Sequence, residues 1–113
     1  MAISYEGIGQ VCVTMRADQN VTAGMPINIF KSDCVSPADV EDSFVGVVAQ
    51  VHDAYASVIV RGFVTVGYSG TNPNAGICQL LADGYGKVTC NAEGKTYLVT
   101  KVNTIDKTVT FLL

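Results

Sequence analysis

The stretch Phe44 to Val66, FVGVVAQVHDAYASVIVRGFVTV, constrains the fold of this chain more than any other. It holds two apolar runs, Phe44 to Val51 and Val58 to Val66, separated by the polar connector His52 to Ser57. Valine, isoleucine and phenylalanine suit a pleated, half-buried surface, and they lose rotamer freedom in a helix. Two such runs with a turn-like break between them predict paired antiparallel strands. Along the second run the period of two places Val58, Val60, Gly62 and Val64 on one face and Ile59, Arg61 and Phe63 on the other.

The rest of the chain has the same character. Residues 1–10, with Gly7 and Gly9 and little periodicity, are expected to form an extended N-terminal arm. Ile3, Tyr5 and Ile8 alternate with polar or small residues, which suits a segment laid on another surface; a tail without fixed structure fits the same pattern. Val11 to Met15 is a short strand, with Val11, Val13 and Met15 on one face. Ala23-Gly24 reads as a tight turn into a strand that begins at Pro26, where a missing N–H does least harm. Ser32 to Ser43 is polar, with Val35 as an inward anchor, and Ser36 to Glu41 has the caps of a single helical turn. Gly67 to Gly76 is dense in Gly, Asn and Pro and reads as a loop. Ile77 to Ala82, Val88 to Cys90, Thr96 to Val102 and Thr108 to Leu113 follow as strands, separated by turns at 83–87, 91–95 and 103–107.

Strands recurring about every ten residues without sustained helical period are the signature of an all-β fold, a small β-barrel or β-sandwich. The two halves also align. Ala23-Gly24 matches Ala75-Gly76 (75 − 23 = 52), Val51 matches Val102 (102 − 51 = 51) and Val58 matches Val109 (109 − 58 = 51). The expected organisation is therefore an arm at 1–10 and one all-β domain at 11–113, built from two similar units at 21–66 and 73–113. Two packed β units would close a barrel and remove exposed sheet edges.

Composition narrows the function. Of 113 residues, 49% are hydrophobic and 15% charged, which excludes a disordered chain and leaves little charge to keep a lone domain soluble. A second chain covering some apolar surface is expected. The net charge of −3 and the scattered basic residues argue against nucleic acid. No apolar run is long enough for a membrane helix, and MAISYEGIGQ lacks the basic and apolar regions of a signal peptide.

Residues with chemistry to offer are sparse. Cys12, Cys34, Cys78 and Cys90 are far apart with no C-x-x-C pair, so they read as reduced small hydrophobes or as a disulfide pair, with no metal site. His52 is the only histidine, and its neighbour Asp53 would point the other way on a strand. Asp39, Glu41 and Asp42 form an acidic patch that reads as a solvated loop. No nucleophile elbow, phosphate-binding glycine motif or H-E-x-x-H is present, so the expectation is a non-enzyme with no cofactor.

In order along the chain, Val21-Thr22-Ala23-Gly24, Val45-Gly46-Val47-Val48 and Val58-Ile59-Val60-Arg61-Gly62-Phe63-Val64 form a pattern that resembles the small capsid decoration (cement) proteins of tailed phages and related prophage proteins. The resemblance spans about residues 20 to 113. It implies a β-rich domain without catalysis that binds the outside of an icosahedral shell, often as a trimer. On this reading the partner is the major capsid protein, and the protein sits on the virion surface after assembly in the bacterial cytoplasm. Ile3, Tyr5 and Ile8 are then candidate capsid contacts, and Ile59, Arg61 and Phe63 a candidate oligomer interface. A head–tail or tail structural protein is an alternative in the same class. A small ligand- or carbohydrate-binding β module using Tyr55, Tyr68 and Tyr85 is an alternative in another.

Overall fold

A computed structural model describes residues 9–113, which form ten strands and, among these residues, no helix. The first five are β1 (Val11–Ala17), β2 (Pro26–Lys31), β3 (Cys34–Pro37), β4 (Gly46–His52) and β5 (Tyr55–Arg61). They close into a barrel in the order β1-β3-β2-β4-β5. The second five are β6 (Phe63–Ser69), β7 (Gly76–Ala82), β8 (Val88–Cys90), β9 (Lys95–Asn103) and β10 (Thr108–Leu112). They close into a second barrel with the same strand order, β6-β8-β7-β9-β10 read in the same sense. In each barrel the first and third strands are parallel and every other pairing is antiparallel.

The fold is thus all-β and built from two similar barrels, and the register shows how closely they match. Val48 pairs with Val58 and Gln50 with Ser57, leaving Ala49 as a bulge in β4. Val99 pairs with Phe111 and Lys101 with Thr110, leaving Thr100 as a bulge in β9. The two bulges lie 51 residues apart (100 − 49 = 51). A bulge is a local departure from the ladder that a strand pair does not need in order to form, so its recurrence at one position marks the halves as copies. Gly24 and Gly76, both at positive φ, open the second strand of each copy. Val51 and Val102 are equivalent, as the sequence alignment has it. Val58 is not equivalent to Val109: the shared bulge places Val58 with Phe111, and Val109 with Ala56.

The repeat boundary also differs from the expectation. The apolar run Val58 to Val66 is not one strand. It breaks at Gly62, where β5 of the first barrel ends and β6 of the second begins, so the units are 11–61 and 63–112 rather than 21–66 and 73–113. Gly62 has φ +114, and a Cβ there would lie 2.9 Å from Cα of Gln10. Only glycine serves a position with both constraints. The sequence reads through this break because one small residue carries it. Three further boundaries move. The β4–β5 turn is only Asp53-Ala54, with Asp53 at φ 54, so most of the polar connector is strand. Ser36 and Pro37 end β3 instead of starting a helical turn, and Gly67 to Ser69 complete β6 instead of starting a loop.

Each barrel has an apolar interior. In the first, Val21, Ile27, Val35, Val48, Ala56 and Val58 cluster. In the second, Val64, Val66, Tyr68, Leu80, Val88, Val99, Val109 and Phe111 cluster, joined by Ala38, Phe44, Val47 and Ile59 from the first. Val47 and Ile59 alternate with the inward-facing Val48 and Val58 and so point out of their own barrel, yet they are only 3% and 9% exposed. The second barrel covers them. Phe44 stacks on Tyr97 with ring centroids 5.5 Å apart and meets Phe111 edge-on at 6.1 Å. The segment 38–45 completes the junction: Glu41 N–H donates to Ala82 O, and Ala82 N–H donates to Asp42 O, both at 2.9 Å. The second half of the polar stretch Ser32 to Ser43 therefore belongs to the clasp between the barrels.

Candidate interaction surface

The residues singled out by sequence fall in different places. Ile3, Tyr5 and Ile8 lie outside the described residues. Ile59, Arg61 and Phe63 do not make one face. Ile59 is buried between the barrels, Arg61 is exposed at the end of β5, and Phe63 is half-buried on β6 of the other barrel. The period of two correctly separates Ile59 from Val58. It cannot tell a face covered by a second barrel from one open to a second chain.

The acidic residues Asp39, Glu41 and Asp42 belong to the clasp, where the backbone of Glu41 and Asp42 carries the bonds to Ala82. Among the described residues, no group of three or more His, Cys, Asp or Glu side chains is arranged to hold a metal ion. His52 and Asp53 meet at 3.6 Å on a turn where both side chains are more than four-fifths exposed. The three tyrosines do not act together. Tyr55 is half-exposed beside Arg16, whose guanidinium lies 6.0 Å from the ring centroid, and Tyr85 is 86% exposed. Tyr68 is buried in the second core, its hydroxyl donating to Oδ1 of Asn72 at 2.8 Å.

The cysteines also divide by environment. Cys12 is exposed, Cys34 buried, and Cys78 and Cys90 half-buried with sulfurs 3.6 Å apart. Burial, and then the hydrogen bond and charge of Cys78, push the Cys90 thiol up to about 11. It holds its proton at neutral pH and is a poor nucleophile there.

What the structure brings together is apolar. Across three neighbouring strands of the second barrel, Ile77 registers with Leu98 and Leu98 with Leu112. Register partners share a sheet face, so these three side chains form one rung on the outside of the barrel. Ile77 is 75% exposed, Leu98 48% and Leu112 37%. On the first barrel, Ile29 and Phe30 at the end of β2 are also exposed, and Phe30 lines an open recess with Arg16, Asp18, Gln19, Lys31 and Cys34. Neither patch stands out in sequence. The rung assembles one residue from each of three strands, and its members alternate with core residues.

No protein-family model matches this chain, and no curated protein matches it.

Proposed function

We propose that this protein is a non-enzymatic structural component of a phage or prophage virion that binds the outer surface of the capsid as a homo-oligomer. The observation that carries the reading is the exposed rung Ile77–Leu98–Leu112 on a weakly charged double barrel. An exposed apolar rung on a β scaffold suits packing against protein, and many modest contacts repeated around a lattice give avidity without one strong site. The resemblance to decoration proteins rests on residues that the barrels use. Val21 is a core residue, Gly24 makes the turn into β2, Gly46 sits where β4 closely approaches β5, and Val48 and Val58 face each other in the first interior. These residues support a shared β architecture and leave the contact surface to be located by experiment.

The test is to mix the purified protein with expanded capsids of the phage or prophage that encodes it and to count copies at each local symmetry axis. Saturable occupancy at one class of axis is the expected result. Absence of binding, with and without residues 2–10, removes the decoration reading and favours a ligand-binding module at the recess beside Phe30 and Lys31. Binding at a tail or neck instead places the protein in the alternative structural class.

A further inference from the structure

Two half-buried thiols of the second barrel are placed to react with each other. Leu80 registers with Cys90, and register partners share a sheet face. Cys78 lies two residues from Leu80 on β7 and so faces the same way. That face is the barrel interior, since Leu80 is fully buried and both cysteines pack against the second core. Their sulfurs are 3.6 Å apart. A disulfide needs about 2.05 Å, so about 1.5 Å remains to be closed. Leu80–Cys90 is the last register pair of the β7–β8 ladder, so the approach breaks no pair of that ladder.

The bonds that oxidation would remove are weak. Cys78 Sγ donates to Gln79 O at 3.8 Å and Cys90 Sγ to Thr71 O at 3.6 Å, both near solvent. Thiols are poor donors, and water can replace them at carbonyls this close to the surface. Half-burial also leaves both sulfurs within reach of a small reagent. The other two thiols have a different setting: Cys12 is exposed on β1 and Cys34 is buried on β3. Within the pair the roles divide. Cys90 holds its proton at neutral pH, so Cys78 is the sulfur that attacks first.

We propose that Cys78 and Cys90 form an intramolecular disulfide when the folded chain meets a low-molecular-weight disulfide, tying β7 to β8 at the edge of the second core. The Cys78 thiolate attacks one sulfur of the reagent, whose S–S bond breaks and releases one small thiol. Cys90 then attacks the Cys78 sulfur of the mixed disulfide, and its proton leaves with the second small thiol. The chain loses two hydrogens, and the reagent is reduced to two thiols. The link encloses the turn at 83–87 and lies one residue from Ile77, so it fixes the strand that carries one end of the exposed rung. Joining residues 12 apart also restricts the unfolded chain, which stabilises the folded one. This site goes beyond the virion reading and does not depend on it.

The test exposes the purified, reduced chain to glutathione disulfide at mildly alkaline pH, alkylates the remaining thiols and maps the fragments by mass spectrometry. A Cys78–Cys90 cross-link is expected as the main product, with Cys34 alkylated once the chain is unfolded, and dithiothreitol is expected to restore both thiols. Any adduct on the exposed Cys12 is removed by Cys12→Ser, which is expected to form the same link. The urea midpoint of the oxidised chain is expected to lie about 1 M above that of the reduced chain. Cys78→Ala and Cys90→Ala are expected to lose both the link and the shift, and Cys90→Ala to keep the small thiol on Cys78 as a stable adduct. Should either variant unfold, the wild-type map and midpoint still decide. A folded wild type in which Cys78 and Cys90 are both still alkylated overturns the proposal. So does a main product that joins any other pair, or an oxidised chain whose midpoint equals that of the reduced one.

Discussion

Single residues decide where this chain is intolerant of change. Gly46 is one such position. A Cβ there would lie 2.7 Å from the backbone oxygen of Ile59 and 2.8 Å from Cγ1 of Val58, contacts that real side chains do not make. Gly46→Ala is expected to cost about 1–3 kcal/mol in urea denaturation, because β4 must move away from β5 to admit a methyl group. Cys90 sets a different limit. Burial and Cys78 raise its thiol from 9.0 to about 11, so the folded state favours the protonated form. Stability from this source is whole below pH 9.0 and is lost as the pH rises through about 11, because the unfolded chain releases the proton first. Tyr97, raised above 10.0 by burial, acts in the same direction. Denaturation midpoints are expected to hold steady up to about pH 9 and to fall above it, with a shallower fall in Cys90→Ala. A midpoint that rose with pH across that range would contradict the assignment.

At the scale of the strand, equivalent positions in the two copies carry unequal energetic weight. Val47 and Leu98 hold the same place on β4 and β9, and Ile59 and Leu112 the same place on β5 and β10, but only the first-barrel members are covered. Ile59→Ala is expected to cost about 2–5 kcal/mol, the range for truncating a buried aliphatic side chain. Leu98→Ala in the dilute protein is expected to fall within about 0.5 kcal/mol of wild type. Equal losses at the two sites would mean that the rung on the second barrel is covered within the chain. The strand boundaries themselves follow local chemistry. Asp83 accepts from Ser69 Oγ, Tyr85 N–H and Lys87 N–H, and Asn103 accepts from the N–H groups of Ile105 and Asp106, so the turns at 83–87 and 103–107 are legible from their residue types.

For the molecule as a whole, the shared cluster around Phe44, Tyr97 and Phe111 joins residues of both closed barrels in one core. The protein is expected to unfold in a single transition, with far-ultraviolet circular dichroism and tyrosine signals coincident. Phe44→Ala is expected to cost about 3–5 kcal/mol and to separate the two probes, since it removes the ring that spans the junction. Coincident transitions in that variant would show that the clasp at 38–45 and the Val47–Ile59 face couple the barrels without it.

The sequence by itself determined the all-β class, most strand positions and the existence of a duplication. Each of these is written locally, in period-two alternation, β-branched composition and turn residues such as the Ala-Gly pairs at 23–24 and 75–76. It did not determine where one copy ends, because Gly62 interrupts an apolar run without altering its alternation. Nor did it separate Ile59 from Leu112 or Leu98, which are alike as outward-facing aliphatic residues on strands. Whether such a residue is core or open surface depends on what lies beyond the sheet, and that is fixed only when the second barrel packs against the first. Tertiary structure therefore decided the surface: it buried the candidate interface residue Ile59 and left the equivalent rung on the second barrel facing water.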